Sequence, residues 1–196
     1  KSEYQALSPT LGGFHQPGKF AELRFGPPPS GANLFRKWDF EKFAVGEDIT
    51  KTLRVGGEGE YSVEVADDRV YEGQHALKIT VGADSHASFT YYPGSIAEGS
   101  YRFAMRYYAD PLLPASAGRP AETPITRVIF RDKSGKAVSE SKQYSWEKAS
   151  AEAADGKWAD HLHVFRTLPG TERISVTVFL HRPGAWWVDD VSLTEL

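Results

Sequence analysis

Two histidines one residue apart, His161 and His163, would share one face of a strand and could present their imidazoles to a metal as a pair. No third ligand stands near them, and paired histidines on a half-exposed strand are ordinarily surface side chains, so the sequence favours a surface pair over a metal centre. Gly13–Phe20 (GFHQPGKF) nearly fits a phosphate-cradling loop, but Phe20 occupies the place of the Mg-binding Ser or Thr. Neither a buried strand before it nor a helix after it is evident. There is no G-x-S-x-G nucleophile elbow and no H-E-x-x-H zinc helix. The absence of Cys removes thiol catalysis, disulfide staples and Cys-ligated zinc. No two carboxylates are marked by spacing as a glycosidase's acid and nucleophile, although such a pair need only be close in space. Catalysis therefore has no positive support, and the chain is expected not to be an enzyme.

The elements that would position any site read as β-strands. The 196 residues suit one domain, or one domain with an ordered appendage, and 40% hydrophobic with 13% aromatic residues give enough apolar side chain for a core. Turn residues recur at short intervals, and between them lie segments rich in Val, Ile, Thr, Tyr and Phe with apolar residues at alternate positions. Strands are predicted near 38–44, 60–66, 75–82, 86–92, 100–109, 125–132, 142–148, 160–167, 173–181 and 186–195. The Ala-rich run from Trp146 to Asp155 reads equally as one short helix or an irregular loop. Residues 1–32 differ: they are broken by Gly and Pro and close on the stiff spacer GPPPSG, which sets the boundary of a 33–196 domain. The chain starts at Lys1 with neither Met nor an apolar signal core, so a processed or excised piece is expected.

Charge narrows the partners. With 23 Lys and Arg against 26 Asp and Glu, the net charge of −3 is no footprint for wrapping nucleic acid. No run approaches the roughly 18 apolar residues of a membrane span, so no membrane partner is expected.

Five segments follow one another in an informative order: NLFRKWDFE, YEGQHALKITV, a Gly-Ser-Tyr-Arg-Phe strand, DGKWADHLHVFRTLPG and AWWVDDVSL. From Asn33 onward this order resembles the xylan- and glucan-binding group of carbohydrate-binding modules, within the galactose-binding-like β-jelly rolls. The resemblance implies an all-β sandwich of two antiparallel sheets of about five strands each, a structural calcium at one edge and no catalysis. It also implies attachment to the catalytic domain of a secreted or cell-surface bacterial polysaccharide-degrading enzyme, with the module itself monomeric. Residues 1–32 have no counterpart in it.

Alternation alone says something about the edge. Val191 and Leu193 are expected to point inward, and period two puts Asp189 on that side with Asp190 facing out. A buried carboxylate needs a partner. The resemblance supplies one: Glu41 and Asp189 would share a calcium, with backbone carbonyls of the Glu72–Gly73 turn completing an oxygen site. The alternative is a hydrogen-bonded Asp at a strand end and a solvated Glu.

The jelly-roll likeness also places the segments near 86–92, 125–132, 142–148 and 173–181 in one sheet. Alternation then turns His86, Ser88, Thr90 and Tyr92 outward, with Arg127, Ile129 and Arg131, and Ser175, Thr177, Phe179 and His181. The 142–148 strand offers either Tyr144 and Trp146 or Ser145 and Glu147. Tyr92, Trp146 and Phe179 would stack on the apolar faces of pyranose rings, while Arg127, Arg131 and His181 bond hydroxyls or acidic groups. Trp158 and the row Tyr101, Phe103, Met105 and Tyr107 are assigned to the core. Arg102, Arg106 and Tyr108 form a rival outward row. A carbohydrate-binding module is the leading expectation; a jelly-roll polysaccharide lyase using His181, Tyr92 and Arg127, or a docking domain of a surface protein, are the alternatives.

Overall fold

The computed structural model describes residues 33–35, 40–50, 53–110, 124–138 and 156–196, and residues 144–148 as backbone. The predicted extension at 1–32, with its Gly13–Phe20 motif and proline spacer, lies outside the described residues, as do 149–155 of the Ala-rich run. The described chain is a β-sandwich. Its strands are β1 (Arg54–Glu58), β2 (Tyr61–Ala66), β3 (Ala76–Val81), β4 (His86–Tyr91), β5 (Ser100–Ala109), β6 (Ile125–Arg131), β7 (Tyr144–Lys148), β8 (Trp158–Arg166), β9 (Arg173–Leu180) and β10 (Gly184–Glu195).

Two five-stranded antiparallel sheets result, ordered β1-β4-β9-β6-β7 and β2-β3-β10-β5-β8. The chain crosses repeatedly between the sheets, so each is built from segments distant in sequence. Period-two alternation is cleanest in β5, where Tyr101, Phe103, Met105 and Tyr107 are buried and the residues between them are half-buried. They meet Phe89 and Tyr91 of β4, Val128 and Phe130 of β6, and Val176 and Val178 of β9 in one core.

Two stretches depart from the sequence reading. In place of the strand predicted at 38–44, the described residues form a 3-10 turn, Phe40–Lys42, closed by Phe43 N–H donating to Phe40 C=O at 3.1 Å. Phe40, Ile49 and Leu53 are buried although they lie outside the strands, so this stretch fills the core as a loop. Conversely, β1 reads Arg-Val-Gly-Gly-Glu, and its glycine pair carries no strand signal.

β10 holds the other surprise. Trp186 and Val188 belong to the inter-sheet core, whereas Trp187 packs with Ala66 and Ala76 on the opposite side of the sheet. Asp189 alternates with Val188 and therefore lies on the side of Trp187, not inward. A β-bulge then shifts the register between Asp189 and Ser192, with Asp190 at φ 45°, and returns Val191 and Leu193 to the core. The inward placement of Asp189 by simple alternation is thus corrected: the extra residue resets the phase.

Candidate functional site

The outer side of the first sheet gathers the residues singled out for binding on β4, β6 and β9. Register sets them in rows across the strands: Gly56, Ser88, Phe179 and Ile125 in one, and Arg54, Thr90, Thr177 and Arg127 in the next. Trp146 is the register partner of Arg127 and Tyr144 that of Ile129, which places this pair of β7 positions, rather than Ser145 and Glu147, on the same face.

A ridge of flat groups runs over this surface. The His86 and His181 rings lie 5.5 Å apart, His181 stacks on Phe179 at 5.9 Å and 2°, and the Arg127 guanidinium sits 4.9 Å from the Phe179 ring centre. Beside it, Gly56 and Ser88 add almost no height. The floor is hydroxylic: Thr90 and Thr177 share a hydrogen bond at 3.0 Å, and Ser175 and Thr177 are buried. Tyr92, 52% exposed, follows β4 directly and accepts a hydrogen bond from Arg54 Nη1 at 3.1 Å. Arg131 donates to Gly135 C=O at 2.9 Å and is the register partner of Arg173. Flat apolar rings beside hydroxyls and guanidinium forks can hold a flat, polyhydroxylated molecule by stacking and edge hydrogen bonds together. Arg54 and Arg173 were missed. The first sits on the unrecognised β1, while the second continues the outward alternation of Ser175 and Thr177 and was within reach of it.

A second polar site surrounds the turn between β2 and β3. Asp189 Oδ2 accepts from the N–H groups of Tyr71 and Glu72 at 2.9 and 3.1 Å, and its Oδ1 from Asp190 N–H at 2.7 Å. Glu41 Oε1 accepts from the N–H groups of Gln74 and His75, both at 2.9 Å. Gly73 sits between them at φ 81°, where a Cβ would overlap Glu41 Oε1. The turn therefore presents N–H donors to both carboxylates. Burial raises the Asp189 pKa, and the Glu41 charge adds to this against three N–H bonds that lower it. Burial and the Glu72 charge raise that of Asp190. Among the described residues no three His, Cys, Asp or Glu side chains form a metal-ligating group.

The remaining candidates are structural. His161 and His163 are 2% and 1% exposed, which corrects their reading as surface side chains. They alternate with Phe165 toward the core, where His161 Nε2 bonds Thr126 Oγ1 across the sandwich. Burial depresses the His161 pKa to about 3, helped by the neighbouring His163, and burial alone takes His163 to about 4. Both imidazoles are therefore neutral in the native protein. In the rival row on β5, Arg106 pairs with Asp160 and lies 4.7 Å from the Tyr71 ring centre, while Arg69 covers Tyr108 at 4.5 Å. Trp158 is half-buried, edge-on to Tyr71 and Tyr108.

No family model and no curated protein sequence matches the chain. Solved structures do match its fold. A carbohydrate-binding module of the β-sandwich superfamily, from a study of promiscuous specificity, aligns at a TM-score of 0.56 with 14% identity, over 81% of this chain and 61% of that one. The enzymatically active domain of tailspike protein 4 from bacteriophage CBA120 aligns at 0.57 with 12% identity, over 76% of this chain. This chain spans only 20% of the tailspike chain. A family 61 carbohydrate-binding module, solved with β-1,4-galactotriose, aligns at 0.50 with 18% identity, over 84% of this chain and 99% of that module. The chain thus shares the β-sandwich fold that these modules use.

Proposed function

We propose that the chain is a non-catalytic carbohydrate-binding module that holds its ligand on the outer face of the first sheet. The observation that carries this is the ridge of His86, His181, Phe179 and Arg127 beside the low strip of Gly56 and Ser88 and the hydroxyl floor of Thr90 and Thr177. An apolar, flat surface bordered by fixed polar groups is what a pyranose requires, because its C–H face seeks a ring and its hydroxyl edge seeks hydrogen bonds. Likeness in fold to modules that include one solved with a galactotriose supports the same reading. The module serves to keep a secreted polysaccharide-degrading enzyme, carried in the same protein, on its substrate.

Calcium belongs to this proposal as a structural ion held by Glu41 and Asp189. The two carboxylates line one cavity with Glu72 and Gly73, and oxygen donors brought together in this way are what that hard cation takes. Its chemistry is limited to holding the β2–β3 turn.

Native affinity electrophoresis across plant, algal and microbial polysaccharides tests the reading. Retardation without loss of polymer length is expected, with affinities on the order of micromolar to millimolar, about 4 to 8 kcal/mol. Release of unsaturated oligosaccharides absorbing in the ultraviolet would transfer the protein to the lyases, and no retardation on any glycan would overturn the proposal.

A further inference from the structure

Arg131 and Arg173 stand directly opposite one another on β6 and β9, on the same outer face. Like charges in that position oppose folding. Among the described residues neither forms an ion pair, and Arg131 spends only one N–H, on the Gly135 carbonyl. The surroundings deepen the imbalance. Arg127 lies four residues back along β6, and Arg54 of β1 stands in the same row as Arg127. The acidic side chain described on this face is Glu58, at the far side and 3.8 Å from His86. All this belongs to a chain whose net charge is −3, so the positive field is local to the face.

We propose that this face takes an anionic glycan, with Arg131 and Arg173 as the subsite for its carboxylate or sulfate groups; the inference rests on the carbohydrate-binding reading above. A guanidinium fork matches the two oxygens of a carboxylate, and an acidic group between two facing arginines relieves the repulsion between them. Arg127 and Arg131 are separated along their strand by about 13 Å. That span exceeds one sugar ring, so the ligand is an extended acidic chain whose rings stack on Phe179 while its acid groups reach the arginines.

Isothermal titration of the full chain with polygalacturonate, alginate, a neutral galactan and a neutral xylan, at low and high salt, tests this. The acidic polymers should bind more tightly at low salt and weaken as salt rises, because screening acts on the arginine contacts and spares stacking. Arg131→Ala or Arg173→Ala should each weaken polygalacturonate binding about tenfold or more. Arg173→Glu should abolish it while raising the melting temperature, since the introduced carboxylate would pair with Arg131; that separates a lost contact from a lost fold. Equal binding of neutral and acidic glycans, unchanged in these variants, overturns the acidic subsite and leaves the carbohydrate reading intact. Equal binding of polyglutamate also overturns it, reducing the face to a general cationic patch. Binding of no glycan overturns both.

Discussion

Acidification from pH 7 to pH 5 should weaken the fold through two side chains buried in the core. His161 and His163 are buried between the sheets, and their pKa values of about 3 and about 4 lie below the ordinary 6.5 that the unfolded chain restores. The unfolded state therefore binds more protons throughout the interval from 6.5 down to 4. Stability is full above about pH 6.5 and is lost as the pH falls below it. Each histidine costs about 1.4 kcal/mol per pH unit, so roughly 1.5 units below 6.5 removes about 2 kcal/mol per residue, about 4 kcal/mol together. Against a typical stability of about 5 to 15 kcal/mol this is a large fraction. Asp189 and Asp190 act oppositely, since their raised pKa values favour the folded state as the pH falls. The comparison is therefore made against variants. Urea unfolding followed by tryptophan fluorescence at pH 7, 6 and 5 should show the full loss in the wild type and about half in His163→Leu. In a His161→Asn, His163→Leu double variant little should remain. A wild-type midpoint that does not move between pH 7 and pH 5, or a double variant that keeps the full wild-type slope, would refute the reasoning.

Asp189→Ala should lower stability by about 2 to 4 kcal/mol, because it strands the N–H groups of Tyr71 and Glu72; chemical denaturation measures it. If calcium occupies the Glu41 and Asp189 site at about 100 times its dissociation constant, chelation should remove about 2.7 kcal/mol from the wild type and nothing from Asp189→Ala, by calorimetry. Gly73→Ala should cost more than about 1 kcal/mol, since its φ of 81° and the nearness of Glu41 both reject a Cβ, and a melting curve reports it. Phe179→Ala should weaken glycan binding by about tenfold while leaving the melting temperature nearly unchanged, because the ring is half-buried on the outer face and outside the core.

Alternation carried most of the fold wherever strand and core agree on period two. β5 and β9 were legible because their apolar residues stand at every second position, and the sharing of one sheet by β4, β6, β7 and β9 followed once a jelly roll was assumed. What escaped had local causes. The glycine pair of β1 hid that strand and with it Arg54. His161 and His163 are polar, so their inward position was masked by residue type, although Phe165 shares their phase. The bulge at Asp190 is invisible to any period. It moved Asp189 to the other side of its sheet, where the turn that covers it offers N–H groups.

The position of β10 bears on how the molecule assembles. It lies in the middle of the second sheet, between β3 and β5, yet it is the last strand in chain order. During synthesis the β2–β3 hairpin and the β5–β8 pair must wait, unjoined, until residues 184–195 have emerged. The Asp189 latch closes on amides 117 and 118 residues earlier, so it reports completion of the whole sandwich. Folding should accordingly be slow, as high contact order requires, and the amides of Tyr71 and Glu72 should exchange with deuterium until that last strand has docked. A ribosome-bound chain halted before β10 would expose its sheet edges to neighbouring chains, which makes this final insertion the step at which aggregation competes with folding.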